Sequence, residues 1–188
     1  MSILKILTFP DPILRQKCHA VDGFDSSLKS LIDDMFETMY DAPGVGLAAN
    51  QVGVLKRILV IDVDYDIKGD DEDSRIYVKK NSRIFINPEI LEKSGKIMFK
   101  EGCLSVPGFS EEVERFESVK IKYQGIQEAS LQLEATGLLA VALQHEIDHL
   151  DGKLFVDRLS TVKKTLIKGK LMKKQSRKFE RSKFHVEL

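Results

Sequence analysis

The amino-acid sequence predicts an α+β protein, and three observations lead to this prediction. Apolar residues recur at helical spacing between residues 28 and 39. Several short β-rich segments follow between residues 57 and 137, and two segments with helical patterning come after them. A helix, then a run of strands, then helices is typical of α+β folds rather than of folds that alternate helix and strand.

The first predicted elements are a helix and a glycine-rich segment. Candidate capping residues at 25–27 precede an apolar stripe formed by Leu28, Leu31, Ile32, Met35 and Met39, so we predict a helix here. The segment at 42–54, APGVGLAANQVGV, contains three glycines. Such a segment favours a loop or an irregular strand in which another group approaches the backbone closely.

Short apolar segments then predict a series of strands. They lie at 57–66, 82–90, 95–106, 118–125 and 130–137, and the last two alternate around a turn that contains glycine. Asn87 and Pro88 are expected to close the second strand. The charged segment at 64–83 predicts a solvent-exposed loop or the tip of a hairpin.

Two helices are predicted after the strands. The first runs from Gly137 to Gly152, with apolar residues throughout and polar residues in its second half. The second begins at Ser160 or Thr161, and its apolar residues suggest a single stripe made of Val162, Leu166, Ile167, Leu171 and Met172.

The composition fits one domain with room for an appended segment. The chain has 188 residues, of which 43% are apolar and 31% charged, and domains typically contain roughly 100 to 200 residues. No apolar run approaches the roughly 18 residues of a membrane span, and no cleavage site follows the N-terminal stretch. We therefore expect a cytoplasmic protein in which Cys18 and Cys103 are free thiols or metal ligands rather than a disulfide.

The net charge of zero hides an uneven distribution. Residues 161–183 contain ten Lys or Arg and one acid, Glu180. That segment has a net charge of +9, so the rest of the chain has a net charge of −9. A basic tail on an acidic body indicates an anionic partner surface.

The segment VALQHEIDHLDGK at 141–153 contains an H-E-x-x-H motif. In a helix His145 and His149 lie on one face and can present two imidazole nitrogens to one metal ion. Glu146 is rotated about 100 degrees away, so it can reach the water of such a site without binding the metal. The motif alone leaves open whether this is a metal site or the surface of a charged helix, but a buried imidazole in an apolar helix needs a partner.

A catalytic zinc-like site needs a third protein ligand and an open position. No further histidine follows His149 at a suitable spacing, because His185 lies in the far tail. The candidate is Cys103, in the turn of KEGCLSVPG, since a thiolate is a good ligand for a divalent ion. Cys18 is interpreted as an unreactive buried cysteine.

Three separated segments together resemble the peptide deformylases. GVGLAANQVG at 44–53, EGCLS at 101–105 and QHEIDH at 144–149 match the three motifs of that family in order, and the likeness covers most of residues 3–160. The charged segment at 64–83 has no fixed counterpart in that family. The resemblance implies antiparallel and mixed sheets packed around a central metal-binding helix, with a C-terminal helix after it.

The resemblance also implies an activity and a site. The chain is expected to remove the N-formyl group from the initiator methionine of newly synthesised proteins and to release formate. The expected metal ligands are Cys103, His145 and His149, with Glu146 as general base. The expected oxyanion donors are the side chain of Gln51 and the backbone N–H of Leu104.

Further residues are expected to bind substrate or support the site. The backbone of Gly46 is expected to pair with the substrate, and Leu138 and Val141 to line a pocket for methionine. Glu101 and Arg115 match a structural ion pair of the family. Asp148 either hydrogen-bonds around the ligand helix or caps exposed backbone; the sequence leaves both open.

The resemblance implies Fe²⁺ as the physiological metal, with zinc, nickel or cobalt as substitutes. It divides the chain into a catalytic domain at 1–160 and a basic helix and tail at 161–188, which is expected to contact the ribosome. Two rival interpretations remain. One is a zinc endopeptidase built on the same H-E-x-x-H helix, and the other is a nucleic-acid-binding module with a structural metal site.

Overall fold

The computed structural model confirms the α+β prediction. It describes residues 2–64, 66–68, 76–78, 81–127 and 129–183, with side chains except at 67–68, 76–78 and 174–183. Within these residues it contains three α-helices, nine β-strands and three short 3₁₀ helices. None of the described helices combines the length and the apolarity needed to cross a lipid bilayer.

Helix α1 (Ser26–Asp41) forms as predicted, and Asp25 is its cap. Oδ1 of Asp25 accepts a hydrogen bond from the backbone N–H of Leu28 at 2.9 Å, which satisfies one of the free N–H groups of the first turn. The apolar face of α1 is buried at Leu28, Ile32, Met35, Phe36 and Met39.

A five-stranded antiparallel sheet forms the centre of the fold. Its strands, in their hydrogen-bonded order, are β1 (Gly46–Ala48), β2 (Ile58–Ile61), β5 (Arg83–Ser94), β8 (Ser118–Gln124) and β9 (Ser130–Thr136). The predicted pairing of the last two strands is confirmed, with all seven residues of each in register. The glycine-rich segment contributes the short edge strand β1, so the irregular-strand alternative is the one observed.

Strand β5 continues past Asn87 and Pro88, so the prediction that these residues close it is wrong. Asn87 has a φ of +52°, and the pairing of β5 with β8 shifts register between Ile86 and Glu89. Asn87 accepts a hydrogen bond from the Val21 N–H at 2.8 Å and donates one to the Val21 carbonyl at 2.9 Å. The fixed bulge bends the strand without ending it.

Two small antiparallel sheets complete the strands. The charged segment forms a hairpin of β3 (Asp66–Lys68) and β4 (Ile76–Val78), and residues 69–75 lie outside the described residues. Strands β6 (Ile97–Gly102) and β7 (Ser110–Arg115) pair along their whole length. The turn between β6 and β7 contains the CLSVPG segment.

Helix α2 (Gly137–Leu150) packs on the central sheet, on the side opposite α1. It contacts β1, β2, β8 and β9. The shared core contains Leu59, Ile61, Phe85, Val119, Ile121, Ala140, Leu143, Ile147 and Leu150. The helix lies between the sheet and the segment that follows β6. Residues 140–150 of α2 are therefore all buried.

Helix α3 (Thr161–Lys183) confirms the second helical prediction, but the predicted stripe is only partly correct. Ile167 and Leu171 are buried against a cluster that contains Val106, Val113, Leu154, Phe155 and Val156. Val162, Leu166 and Met172 are at least half exposed. The stripe is narrower than predicted because α3 meets the rest of the fold along one edge, so apolar residues outside that edge stay in contact with solvent.

Candidate active site

Two histidines of α2 and one cysteine of the β6–β7 turn converge at a buried point. The potential ligand atoms of Cys103, His145 and His149 all lie within 4.8 Å of one another. Sγ of Cys103 is 3.1 Å from Nε2 of His149. One helical turn separates the two imidazoles, so both lie on the face of α2 that points toward the turn. The structure therefore brings all three expected metal ligands together.

Polar contacts fix the position of α2 at both ends of this site. Nδ2 of Asn50 donates to the backbone carbonyl of His149 at 2.6 Å. The side chain of Gln144 accepts from the Phe116 N–H at 2.9 Å and donates to the Phe116 carbonyl at 2.8 Å. These bonds tie the helix to the glycine-rich segment on one side and to the β7–β8 turn on the other.

The imidazole of His145 is oriented by a buried ion pair. Nδ1 of His145 lies 2.8 Å from Oε2 of Glu101, and Arg115 donates to both oxygens of Glu101, at 2.5 and 2.9 Å. The ion pair suggested by the sequence therefore exists. Burial favours the neutral form of Glu101, but hydrogen bonds from Arg115 and His145 hold its pKa below the ordinary value. An ionised Glu101 fixes the orientation of the ring through Nδ1 and leaves Nε2 available on the side of Cys103 and His149.

Asp148 extends this network instead of capping exposed backbone. Its carboxylate accepts from Arg115 at 2.6 Å and from both Nε and Nη2 of Arg158, at 2.6 and 2.7 Å. Of the two alternatives that the sequence left open, the structure shows the hydrogen-bonded one. Burial opposes ionisation of Asp148, yet hydrogen bonds from Arg158 and the charge of Arg115 lower its pKa.

Glu146 is buried beside Cys103, His145 and His149. Its Oε2 finds no hydrogen-bond partner among the described residues. A Cβ added to Gly46 would lie 2.6 Å from the Oε1 atom of Glu146, so the backbone of β1 is in direct contact with the carboxylate. Burial raises the pKa of Glu146 to about 7, a suitable value for a group that exchanges protons near neutral pH.

The amide of Gln51 is held by both of its ends. Oε1 accepts from the Ala48 N–H at 2.8 Å, which assigns Nε2 as the end that faces the site. Nε2 lies 3.1 Å from Oγ of Ser105 and 3.7 Å from Sγ of Cys103. Sequence reasoning missed Ser105 as a supporting residue, although it stands two positions after Cys103 in the EGCLS motif.

A cavity of about 590 Å³ opens onto this cluster. Eight of the nine expected site residues line it: Gly46, Gln51, Cys103, Leu104, Leu138, Val141, His145 and Glu146. His149 is the ninth, and it lies beneath the cavity with 1% of its surface exposed. Val141 is buried in the wall, whereas Leu138 is partly exposed at the rim. The sequence did not identify Phe99 and Phe109, which add apolar surface.

The arrangement has the parts that hydrolysis of an amide requires. Three soft or borderline donor atoms lie close together, and a carboxylate with a pKa near neutrality lies beside them. The amide Nε2 of Gln51 lies 3.7 Å from Sγ of Cys103, one of these donors. The apolar cavity provides room for a side chain next to the reacting group.

Comparison with known proteins gives consistent relatives. Residues 3–165 match the model of the family described as polypeptide deformylase. The peptide deformylase of Hahella chejuensis is 55% identical over 175 residues, which cover 92% of this chain and 96% of that protein. The peptide deformylase of Chromobacterium violaceum is 47% identical, and the match covers 93% of this chain and 98% of the relative.

Solved structures agree with these relatives. The crystal structure of a peptide deformylase from Legionella pneumophila superposes with a TM-score of 0.82 at 45% identity and covers 94% of this chain and 98% of that one. The peptide deformylase of Ehrlichia chaffeensis in complex with actinonin has a TM-score of 0.82 at 42% identity, covering 93% and 98% of the two chains.

Proposed function

This chain belongs to the peptide deformylase family and is a hydrolase that removes N-formyl groups from nascent peptides; we propose that Cys103, His145 and His149 hold the divalent metal ion of its active site. The observation that carries this assignment is the convergence of three ligand atoms within 4.8 Å. The two rival interpretations were an endopeptidase and a nucleic-acid-binding module. Neither is needed, because membership of the deformylase family explains all three sequence motifs together.

The residues around this point fit a metal ion. A thiolate and two imidazoles suit the divalent metals of the first transition series. Glu101 accepts the Nδ1 proton of His145, which leaves Nε2 free as a ligand. The unpartnered Oε2 of Glu146 lies beside the ligands, where a catalytic site needs a base that does not itself bind the metal. When bound, the metal supplies a Lewis acid that makes water nucleophilic near neutral pH.

Glu146 is the proton carrier in the proposed mechanism. Its carboxylate takes a proton from the attacking water and later delivers that proton to the amine nitrogen that leaves as formate is released. Burial holds the pKa of Glu146 near 7, so the same group can accept and return a proton without a large energetic cost in either direction.

Gln51 and Leu104 stabilise the developing oxyanion. Oε1 of Gln51 accepts a hydrogen bond from the Ala48 N–H, so the side-chain amide cannot rotate without losing that bond. Its Nε2–H group therefore faces the site before the substrate binds. The backbone N–H of Leu104 follows Cys103 in the tight turn after β6. Two fixed donors on one oxygen favour the tetrahedral state over the planar formyl group.

The cavity supports methionine as the residue that carries the formyl group. Val141 lies one helical turn before His145, and Leu138 lies two turns before it, so their side chains form an apolar wall that leads to the metal position. The absence of a side chain at Gly46 lets the backbone of the edge strand β1 approach the substrate peptide. A flexible thioether chain fits an apolar cavity of this kind.

We further propose iron as the physiological metal, a cytoplasmic location, and a division into a catalytic domain at 1–160 and a basic segment at 161–188. Fe²⁺ is expected to be the metal of the active enzyme, with zinc, nickel or cobalt able to replace it. Thiolate and imidazole donors bind all four metals, so the ligands alone do not select one of them. The choice of iron follows from the resemblance to the deformylase family.

The cysteines offer a direct test of the metal assignment. Cobalt-substituted protein should show absorption from a thiolate-to-cobalt transition, with one cobalt bound per chain. Cys103→Ser should lose this absorption, whereas Cys18→Ala should keep it, because Cys18 is buried in the core with the pKa of its thiol raised to about 11 by burial. Retention of the band in Cys103→Ser would disprove the ligand set.

The basic segment supports a contact with ribosomal RNA. Helix α3 is attached through Ile167 and Leu171, and residues 174–183 contribute five more Lys or Arg beyond the docked turns. Replacing these five residues with Gln keeps the length of the helix and the docked edge. The variant should pellet with ribosomes less than wild type, and wild-type binding should fall steeply with salt. Unchanged binding of the variant would defeat this proposal.

A further inference from the structure

The surface residue Arg158 is joined to the site through a continuous line of charge-assisted hydrogen bonds. It lies in the 3₁₀ turn Phe155–Arg158, between helices α2 and α3, and 42% of its side chain is exposed. We infer that Arg158 is a positioning residue of the enzyme, which holds His145 in its ligand orientation through Asp148, Arg115 and Glu101. This inference rests on the proposed function, because it takes His145 to be a metal ligand.

Each link in the line is short and has defined geometry. Arg158 donates to both oxygens of Asp148, at 2.6 and 2.7 Å, and Arg115 donates to Oδ2 of the same carboxylate at 2.6 Å. Arg115 then holds both oxygens of Glu101, and Oε2 of Glu101 meets Nδ1 of His145 at 2.8 Å. Paired guanidinium and carboxylate groups restrict rotation as well as distance.

The charges along this line explain how Arg158, at the surface, can affect His145 at the buried end. Glu101 and Asp148 are two buried carboxylates that share one buried guanidinium, Arg115, whose side chain is fully enclosed. Arg158 supplies the second positive charge. Without Arg158, Arg115 is the one hydrogen-bond donor to the Asp148 carboxylate that remains among the described residues. Arg115 is then drawn from Glu101 toward Asp148, because an unpaired buried carboxylate is costly.

The consequence falls on the orientation of the His145 ring. Glu101 is held by Arg115 through both oxygens, and one of these oxygens is also the partner of His145. A displacement of Arg115 therefore frees Glu101 to rotate and changes the direction of Nε2. Loss of the hydrogen-bonded partners behind a ligating histidine typically costs 10- to 100-fold in metal affinity or activity. Arg158 is partly exposed and four hydrogen-bonded links away from His145, so its loss should give the lower part of that range.

A second arginine offers a matched control. Arg57 donates to Oδ1 of Asp151 at 2.8 Å, and Asp151 is the C-terminal cap of the same helix α2. This pair has the same residue types as Arg158 and Asp148 and is also attached to helix α2, with 17% of the Arg57 side chain and 32% of the Asp151 side chain exposed. Among the described residues, the side chains of Arg57 and Asp151 make no hydrogen bond to the side chains of Glu101, Arg115 or the metal ligands, so loss of this pair tests stability without the positioning effect.

The test compares Arg158→Met, Arg158→Lys and Arg57→Met as cobalt-loaded proteins. Three quantities are measured: the cobalt absorption spectrum, the rate of cobalt release to a chelator, and kcat and KM for a formyl-methionyl peptide. Arg158→Met should release cobalt about 10-fold faster, show altered visible bands, and lose kcat with little change in KM. Arg158→Lys keeps the charge without the two-pronged contact and should fall between Arg158→Met and wild type. Arg57→Met should match wild type in all three quantities.

The outcomes separate this inference from the proposed function. If wild type binds no cobalt at Cys103, the proposed metal site itself fails. If wild type binds cobalt and Arg158→Met has the same spectrum, release rate and kcat, Arg158 is only a stabilising surface residue and the inference is overturned. Should Arg158→Met fail to fold, Arg158→Lys decides the question, because an unchanged spectrum and release rate in that variant would contradict the need for the paired contact.

Discussion

The Oε1 atom of Glu146 occupies the space next to the backbone of Gly46, where an added Cβ would lie 2.6 Å away. The carboxylate that we propose as the proton carrier therefore depends on the lack of a side chain on the neighbouring edge strand. Sequence reasoning assigned Gly46 to substrate binding alone. The structure gives this glycine a second role, because its bare backbone forms one wall of the space for Glu146.

Gly46→Ala should lower kcat by roughly 10- to 100-fold, because a displacement of a reacting group by about 1 Å can cost this much. Metal content should stay at the wild-type level, since the added methyl group meets Glu146 and not a ligand. Steady-state kinetics and metal analysis measure both effects. Gly23→Ala is the control, because nothing lies within 4 Å of a Cβ at that position. A variant that raised KM but kept kcat would show that Gly46 serves the substrate only.

Gln51→Glu should lower kcat by about 100- to 1,000-fold, the typical cost of losing one oxyanion donor. The new carboxylate keeps an oxygen for the Ala48 N–H, which Oε1 accepts at 2.8 Å in the native chain. It removes the N–H group that faces the site. Ser105→Ala is the matched control, because it removes only the 3.1 Å contact with Nε2 and should have a smaller effect. Activity of Gln51→Glu within a few-fold of wild type would exclude the donor role.

Asp157→Asn should destabilise the fold in a pH-dependent manner. Burial opposes ionisation of Asp157, but Arg15 and Lys164 outweigh it and lower the pKa to about 2, from an ordinary value of 3.8. A depressed pKa in the folded state stabilises the protein above the unfolded pKa, and this stability is lost as pH falls toward 2. The variant should be less stable by about 2 kcal/mol at pH 7.

Denaturant unfolding at several pH values measures this effect. The difference between wild type and Asp157→Asn should shrink to roughly half by pH 3. Asp22→Asn, at an exposed position, is the control and should change the free energy of unfolding much less than Asp157→Asn at pH 7. A difference for Asp157→Asn that stayed constant from pH 7 to pH 3 would rule out the ionic contribution.

Protein purified without oxygen should contain iron and should be more active than the zinc form. Thiolate and imidazole ligands bind both metals, so the expected preference is one of reactivity rather than of binding. Metal analysis together with activity measured after exchange into Fe²⁺ or Zn²⁺ compares the two forms. Equal activity of the iron and zinc forms would remove the preference.

The segments with clear periodicity could be predicted from the sequence. The stripe of α1, the alternating strands β8 and β9, and the apolar helix α2 all match the structure. Each of these elements buries one face or is buried throughout, so the pattern of apolar residues reflects the environment directly.

Features that depend on tertiary partners could not be predicted. Asn87 and Pro88 are typical of the end of a strand, but the contacts of Asn87 with Val21 and with Gln124 convert that end into a bulge. In α3, helical spacing does not specify which apolar residues meet a neighbour, so Leu166 was grouped with residues that are buried.

The site residues divide in the same way, into those that sequence motifs identify and those that depend on tertiary contacts. Residue type and spacing pointed to His145, His149, Glu146 and Cys103. The roles expected of Gln51, Leu104 and Gly46 came instead from the resemblance to the deformylase family. Arg158 lies outside every motif, and its connection to Asp148 exists only because the chain returns along α2 after the turn. No pattern in the sequence records that contact.

Formate release from a formyl-methionyl peptide, measured for wild type and for Glu146→Ala, shows whether the enzyme depends on Glu146 as its proton carrier. Metal content is measured on the same samples, because Glu146 is proposed as a proton carrier and not as a ligand. We expect efficient formate release by wild type and a collapse of activity in Glu146→Ala with the metal retained. Substantial formate release by metal-loaded Glu146→Ala, or none by metal-loaded wild type, would contradict the account.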